Sequence, residues 1–316
     1  MDSSFFIVNE IQNAMIFLAI WKIVDSIAAK INHIRITRMT RNVDVVHLIK
    51  VNSLELIKQI RAKSSARIVY DLGDAVWLPN YKGYQEIDQI LQNVDAVTCD
   101  NRYGLDYAGK FNKSLFLYPG PSQVEMFDKL RAEKKRHPRE KCLTIGWIGS
   151  PNTVFHLYSA WEALEKIFEK HQHIHLRLVG VGKDKKILPR FENVRYSTVP
   201  YYSSEQMVKE VLNMDIGLFP MFDVQEARVR GILKATIYMS GEAAVVASPR
   251  GQVTELITDG VNGFLADSTE EWVEKLDTLI KNHELRQQLI VAGLETVRKN
   301  YSLEKCFEKL RLALQV

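Results

Sequence analysis

A cluster of basic residues in the second half of the chain has the composition of an anion-binding site. The stretch "PMFDVQEARVRGILK" contains Arg228 and places Arg230 and Lys234 on either side of Gly231. Arg230 and Lys234 are one helical turn apart, so the spacing predicts that they share one face of a helix beginning near the glycine. Free amides at a helix N-terminus and two or three cations would together bind an anion the size of a diphosphate. The alternative interpretation is a solvated basic helix face.

Glycine-rich turns follow several apolar runs in the same half. "GWIGSPNT" contains Gly149 and Ser150, and "GQVTELITDGVNGFLA" contains Gly251 and Glu255. Strand, tight turn, helix and glycine-rich turn is the order expected at the carboxyl edge of an open α/β sheet, where backbone approaches a bound group. The alternative is that these glycines only end secondary-structure elements.

The elements needed to position these residues are strands and helices in alternation. In the first half the strand-like runs are "VDVVHLIKV", "ARIVYDL", "DAVTCD" and "SLFLYP", and Ser53 and Asn101 stand where N-caps of the intervening helices are expected. The alternation stops at a charged stretch and then resumes, which predicts two domains with parallel sheets facing each other across a cleft. We place a first domain at 1–130, a charged hinge at 131–142 and a second domain at 143–316.

Composition excludes several classes of protein. The 316 residues are 46% hydrophobic and 25% charged, which is enough apolar material for two cores and excludes a disordered chain. A formal charge of +4 is too small to indicate nucleic-acid binding. Cys99, Cys142 and Cys306 form no CxxC pair, and the His171, His173 and His175 run has no acidic or cysteine partner at ligand spacing. We therefore predict a cytosolic protein without a metal site.

The N-terminal segment is the most apolar part of the chain. "AMIFLAIWKIV" is too short to span a bilayer and has neither the basic start nor the cleavage site of a secretory signal. We expect an amphipathic helix over residues 7–27 that is either buried or only partly covered. Partial cover would predict a homodimer through this helix or attachment to the inner membrane face. The basic residues that follow favour attachment, and they are Lys30, Arg35, Arg38 and Arg41.

From residue 145 to residue 314 the chain resembles the retaining glycosyltransferases of family 4. The resemblance lies in "IGWIGSPNT" and in "LKATIYMSGEAAVVASPRGQVTELITDGVNGFLADSTEEWVEKL". "IVYDLGDAVW" and "YPGPSQVEMF" are similar to segments of the family's first domain. The resemblance implies the GT-B fold, an α/β architecture of two facing Rossmann-like domains. Here the first domain is shortened, because an early strand followed by a paired-glycine loop is missing.

The resemblance also implies roles for individual residues. The departing diphosphate would be stabilised by Arg230 and Lys234, and Asp71 and Asp74 would face the acceptor, although Asp74 could equally cap a helix. Glu255 would contact the donor sugar or cap a helix. The implied donor-binding residues are Gly149, Ser150, Arg230, Gly231, Ile232, Lys234, Gly251 and Glu255, and the implied catalytic residues are Asp71, Arg230 and Lys234. No metal or cofactor is implied, since the nucleotide sugar is a substrate.

One family motif departs from its usual residues. The two glutamates of the Glu-x7-Glu motif fall at Val229 and Ile237, and neither residue is acidic. Asp223, Glu226 or Glu242 are candidates to replace them. Two hypotheses remain. The first is a cytosolic, membrane-associated glycosyltransferase that transfers a sugar with retention to a glycan, lipid-linked or protein acceptor. The second is a catalytically weakened GT-B protein that binds a sugar nucleotide or a partner subunit.

Overall fold

The computed structural model describes residues 34–35, 37–49, 51, 53–73, 75–78, 86–133, 142–183, 188 and 193–315. The predicted helix at 7–27, Lys30, Asp74 and most of the predicted hinge lie outside the described residues. The predicted domain boundaries at 130 and 142 stay predictions.

The first sheet has four parallel strands in the order β1-β2-β3-β4. They are β1 (Val45–Ile49), β2 (Arg67–Asp71), β3 (Ala96–Cys99) and β4 (Leu115–Leu117). The helices that follow the first three strands are α1 (Leu54–Lys63), α2 (Ile87–Gln92) and α3 (Arg102–Ala108). The two predicted N-caps are confirmed, because Ser53 accepts the amide hydrogen of Leu56 and Asn101 accepts that of Gly104.

The second sheet has six parallel strands in the order β10-β9-β8-β5-β6-β7. They are β5 (Leu143–Ile148), β6 (Ile174–Val179), β7 (Tyr196–Val199), β8 (Ile216–Phe219), β9 (Ala244–Ala247) and β10 (Phe264–Leu265). The chain runs outward from β5 to β7 and then returns to β8 on the other side of β5. The order reverses between β5 and β8, and such a switch point opens a crevice at the carboxyl ends of the two strands.

Helices cover both faces of the second sheet. They are α4 (Val124–Glu133), a 3-10 helix (Pro151–Ala160), α5 (Trp161–Lys170), α6 (Ser204–Val211), α7 (Gln225–Arg228), α8 (Leu233–Ser240), α9 (Val253–Leu256), α10 (Thr269–Lys281) and α11 (His283–Tyr301). Helix α12 (Leu303–Leu314) follows α11 and packs on the first sheet instead. Alternate strand residues enter two apolar clusters: Trp147 packs in one with Trp272, and Ile148 packs in the other with Tyr238. This burial of alternate residues on both faces is typical of a parallel sheet between helices.

Two helices tie the halves of the chain together. Helix α4 begins before the predicted hinge and extends into it as far as Glu133, and its Phe127 is fully buried in the apolar cluster of the second sheet. Helix α12, at the other end of the chain, packs against the first sheet, where Ala313 contacts Val69 and Ala96. The Arg67 Nε also donates to the Ala313 carbonyl oxygen at 3.1 Å.

Candidate functional site

The turn between α7 and α8 carries the predicted basic cluster and lies at the switch point, because it follows β8. Helix α8 is held in place by Tyr238, whose ring covers Gly217 of β8 so closely that a Cβ at Gly217 would collide with it. The buried Tyr238 hydroxyl accepts the Ile148 amide hydrogen at 2.7 Å, which attaches the helix to β5 as well. Lys234 lies one turn before Tyr238, so its position is set by contacts to both strands of the switch point.

The Lys234 ammonium group lies among aromatic rings. Its Nζ is 4.7 Å from the centroid of the Trp147 ring and 5.8 Å from that of Phe219, and it donates to the Thr153 Oγ1 at 3.5 Å. Burial, and secondly the charge of Arg230, lower the pKa of Lys234 from 10.5 to about 7. In the part of the chain that is described, Lys234 forms no ion pair. An anion bound here would supply the missing counter-charge and raise this pKa.

Arg230 and Arg228 differ in their partners. The Arg228 guanidinium is 3.3 Å from the Asp223 carboxylate and is therefore neutralised. The Arg230 guanidinium makes no hydrogen bond or ion pair with any residue that the structure describes, and only its amide is engaged, with the Ala227 carbonyl oxygen. The structure thus brings together two cations that form no ion pair among the described residues, and it pairs the third predicted cation with Asp223.

The predicted residues Gly149 and Ser150 lie directly after β5, on the other side of the crevice. The Gly149 amide already donates to the Val179 carbonyl oxygen, and the Tyr202 hydroxyl donates to the Gly149 carbonyl oxygen. A Cβ at Gly149 would collide with the Trp147 ring, so packing alone requires glycine there. Ser150 is exposed, and its amide donates to the Thr153 Oγ1 at 3.1 Å. Of the two residues only Ser150 is exposed, and its hydroxyl lies 3.4 Å from the Thr153 Oγ1.

The remaining predicted donor residues have structural surroundings of their own. Gly251 has a φ of +58°, and a Cβ there would lie 2.9 Å from the carbonyl oxygens of Ala227 and Arg228, so this glycine lets its loop pack on the basic turn. Ile232 is buried at the start of α8, beside Gly231. Glu255 forms an ion pair at 2.9 Å with Arg102 of the first domain.

The first domain contributes carboxylates at the carboxyl edge of its sheet. The predicted residue Asp71 ends β2, and its Oδ1 accepts a hydrogen bond from the Thr98 hydroxyl at 2.8 Å. Asp100 directly follows β3, and its carboxylate lies so close to Gly231 that a Cβ there would collide with it. The charges of both aspartates raise the pKa of the buried Cys99 thiol, in addition to the larger effect of its burial, to about 12. Asp71 and Asp100 therefore share one edge, near the basic turn.

The two domains meet at these edges. The Asn101 side-chain amide donates to the Val229 carbonyl oxygen at 3.0 Å, and the Arg102–Glu255 pair lies beside it. The loops after β3, β8 and β9 are thus in direct contact, which confirms that the carboxyl edges of the two sheets face each other.

The positions of the absent glutamates are filled by apolar residues with other roles. Ile237 is buried in the core of the second domain, and Val229 bonds to Asn101 through its carbonyl group. Among the candidate replacements, Asp223 pairs with Arg228 and Arg250. Glu242 pairs with Arg131 and precedes β9, at the sheet edge opposite the basic turn. Glu226 is near enough to His156 for its charge to raise that residue's pKa.

Several site residues were not predicted from the sequence. Asp100, Thr153 and Trp147 contact the basic turn or Lys234, and His156 is close to both cations. Asp100 and Thr153 are polar residues that follow strand ends, and this position in the sequence could have identified them as site candidates. Trp147 and His156 lie in apolar stretches that predict core residues, and only their contacts in the structure show that they belong to the site.

Across the described part of the chain, no group of three or more His, Cys, Asp and Glu side chains could hold a metal ion. Among the helices that are described, none is long and apolar enough to cross a membrane.

Comparison with known proteins agrees with this architecture. Residues 139–282 match the family model described as glycosyl transferases group 1. No curated protein sequence matches the chain significantly. A glycosyltransferase from Rickettsia africae superposes with a TM-score of 0.64 at 15% identity, covering 90% of this chain and 80% of that one.

Two further solved structures are similar over the same share of this chain, 90%. The UDP-forming α,α-trehalose-phosphate synthase from Burkholderia xenovorans has a TM-score of 0.69 at 12% identity, with 76% of its chain covered. Anabaena HepE in complex with UDP-glucose has a TM-score of 0.64 at 14% identity, with 81% covered.

At these identities the structural likeness establishes the fold. The chain has the GT-B fold, with two parallel-sheet α/β domains of which the first is shorter, and this prediction is confirmed. The group 1 domain at 139–282 and the fold together support a glycosyltransferase of the GT-B type.

Proposed function

We propose that this chain is a retaining glycosyltransferase of family 4 that takes its sugar from a nucleotide-sugar donor. The observation that carries the proposal is the pair Arg230 and Lys234, two cations at the switch point of the second sheet that form no ion pair with any described residue. A nucleoside diphosphate is an anion of matching size, and UDP and UDP-glucose are ligands of the similar HepE structures. The acceptor is a hydroxyl group of a glycan, a lipid-linked sugar or a protein.

The main work of the two cations is to stabilise charge. During transfer the bond between the anomeric carbon and the diphosphate oxygen breaks, and negative charge grows on the leaving group. Arg230 and Lys234 neutralise that charge, and losing one such donor in comparable sites raises the barrier by about 2.7–4 kcal/mol. Because protein cations fill this role, the proposed reaction needs neither a metal ion nor a cofactor.

In this proposal, residues of the first domain bind and orient the acceptor. The acceptor oxygen bonds to the anomeric carbon on the face that the diphosphate leaves, so the configuration is retained, and its proton passes to a phosphate oxygen. Asp71 and Asp74 are proposed to orient that hydroxyl within attacking distance. The position of Asp71 at the carboxyl edge of β2, which faces the basic turn, supports this role.

A second candidate function is a GT-B protein that binds a sugar nucleotide without transferring the sugar. The observation that favours it is the burial of Ile237, since an apolar side chain in the core cannot replace a glutamate that holds the donor. The pairing of Glu255 with Arg102 removes another free carboxylate from the donor side.

A ligand panel followed by a transfer assay distinguishes these functions. Nucleoside diphosphates and nucleotide sugars are screened by thermal shift in excess EDTA, where a ligand at 100 times its Kd stabilises by about 2.7 kcal/mol. Binding in EDTA followed by sugar transfer supports the enzyme, and binding without hydrolysis or transfer supports the second function. Absence of binding to any member, or binding that strictly requires Mn²⁺ or Mg²⁺, contradicts the proposed site.

We further propose that the protein works in the cytoplasm at the inner membrane face, attached through the segment at 7–27. Support comes from the residues that follow this segment. Ile34 and Met39 are exposed apolar residues, and the cations Arg35, Arg38 and Arg41 are exposed beside them. Apolar and basic residues together bind anionic lipid surfaces.

A further inference from the structure

His156 is a buried histidine with one ring nitrogen unused. It lies on the 3-10 helix after Ser150, is 4% exposed and contacts the Phe155 ring in a tilted arrangement with centroids 4.1 Å apart. Its Nδ1 accepts the Phe222 amide hydrogen at 3.3 Å. Because Nδ1 accepts, the neutral ring carries its proton on Nε2. That Nε2–H group has no hydrogen-bond partner in the described part of the chain.

The ring is neutral at physiological pH. Burial, followed by the charges of Arg230 and Lys234, lowers the pKa of His156 to about 4, and only Glu226 acts in the opposite direction. Nε2 is therefore a neutral hydrogen-bond donor. A buried donor without an acceptor is costly in a folded protein and calls for an explanation.

The position of His156 indicates which group fills this need. Residues three apart on a 3-10 helix lie on the same face, so His156 shares a face with Thr153, the residue that contacts the Lys234 ammonium group. The site then contains three donors, Arg230, Lys234 and His156, and none of them has an acidic partner that the structure describes. A group with several acceptor oxygens would satisfy all three.

We propose that the His156 Nε2–H group donates a hydrogen bond to an oxygen of the diphosphate held by Arg230 and Lys234, and so fixes the position of the donor. The inference rests on the proposed donor site and adds a neutral third ligand to its two cations. The Phe222 amide, in the loop after β8, holds the ring in the required orientation and links the loops that follow β5 and β8.

Two substitutions separate the ring's two nitrogens. His156→Asn keeps a polar group near the Nδ1 position and removes the Nε2 donor, whereas His156→Gln places an amide donor near the Nε2 position. UDP, GDP and inorganic pyrophosphate are titrated calorimetrically into the whole chain and both variants. We expect His156→Asn to weaken binding of each bound probe about tenfold, and His156→Gln to restore most of that loss.

The matched control is His175→Asn, because His175 bonds to Ser197 on the edge strand β7. Its affinity for the probes should equal that of the unmodified protein. The Nε2 proton resonance of His156 should also shift when UDP or GDP binds, which a purely structural ring would not show. Unchanged affinity in His156→Asn, or equal losses in both His156 variants, overturns this inference alone. A protein that binds none of the three probes overturns the proposed donor site as well.

Discussion

Lys234 places its ammonium group beside two aromatic rings and forms no ion pair with a carboxylate among the described residues. The faces of Trp147 and Phe219 attract its charge weakly, whereas burial and the neighbouring Arg230 oppose it. The residue is therefore only partly protonated near neutral pH until a ligand adds negative charge. A bound anion would supply the counter-charge that Lys234 lacks among the described residues.

The first prediction concerns the two cations. Replacement of Arg230 or Lys234 by alanine should weaken nucleoside diphosphate binding by about 1.5–3 kcal/mol, because each removes a hydrogen bond to a charged group. The melting temperature should change little, since neither side chain has a charged partner among the described residues to lose. Isothermal titration calorimetry and thermal unfolding measure the two effects.

Arg228→Ala is the matched control, because Arg228 lies on the same turn but pairs with Asp223. Its affinity should stay within about twofold of the unmodified protein, since an exposed ion pair contributes roughly 0–1 kcal/mol. Unchanged affinity in both the Arg230 and Lys234 variants would remove these residues from the site.

The second prediction concerns protons. With a pKa of about 7, Lys234 is mostly neutral at pH 8 in the free protein, and a bound diphosphate raises this pKa and recharges it. Binding at pH 8 should therefore take up close to one proton, and affinity should fall as pH rises above 7. At pH 6 the lysine is already charged and this uptake disappears.

Calorimetry in buffers of different ionisation enthalpy measures the number of protons. Lys234→Arg is the informative variant, because arginine keeps its charge at both pH values. Proton uptake that persists in this variant would show that another group titrates.

At the scale of elements, the site depends on how α8 rests on the second sheet. Tyr238 fits over Gly217 and bonds to the Ile148 amide, and these contacts determine where the first turn of the helix lies. Gly251 acts on the other side, where its left-handed backbone allows the loop after β9 to support the turn at 227–230. Gly217 in the strand and Gly251 in the loop thus determine where the basic turn and Lys234 lie.

The third prediction tests this packing. Gly217→Ala adds a methyl group that collides with the Tyr238 ring, so α8 must move away from β8. We expect a loss of about 1–3 kcal/mol in the free energy of unfolding, as for other overpacked cores, together with weaker UDP or GDP binding. Urea denaturation and calorimetry measure both quantities.

Gly120→Ala serves as the comparison, because Gly120 lies in the loop between β4 and α4 and a Cβ there would have open space around it. Its φ of +72° makes alanine unfavourable, so some stability is lost, yet ligand affinity should not change. Gly217→Ala with full affinity would mean that the position of α8 does not control the site.

At the scale of the whole molecule, the carboxyl edges of two sheets meet and three loops form the contact. Arg102 with Glu255, and Asn101 with Val229, join the domains beside the basic turn. Helix α4 packs on the second sheet and α12 packs on the first, and both add apolar contacts away from this edge. A donor bound to the second domain would therefore lie against residues of the first.

The fourth prediction concerns attachment to membranes. The whole chain should float with liposomes that contain anionic lipid and should remain behind with neutral ones, because the exposed cations near residues 35–41 add electrostatic attraction to the apolar segment. Replacing Arg35, Arg38 and Arg41 by glutamine should reduce flotation without changing nucleotide affinity. A monodisperse monomer that ignores both kinds of liposome contradicts attachment, and a stable dimer supports the alternative.

The local features of this protein were determined by its sequence. Alternating apolar runs and the N-caps at Ser53 and Asn101 involve residues close together in the chain, so their physics is readable without a fold. The prediction that Arg230 and Lys234 share a helix face was wrong, because α8 begins at Leu233 and Arg230 lies in the turn before it. The resemblance of the stretch from "LKATIYM" to "EEWVEKL" to family 4 glycosyltransferases also predicted the GT-B fold from the sequence.

Only the tertiary structure decided which charges are neutralised. Arg228 forms an ion pair with Asp223 and Glu255 forms one with Arg102, whereas Arg230 pairs with no described carboxylate. Nothing in the sequence distinguishes these charged residues from one another. The aromatic rings beside Lys234, and the His156 Nε2 that has no partner in the described part of the chain, also result from contacts between β5, β8 and the helices after them. Charge pairing and burial depend on distances between residues far apart in the chain, and folding sets those distances.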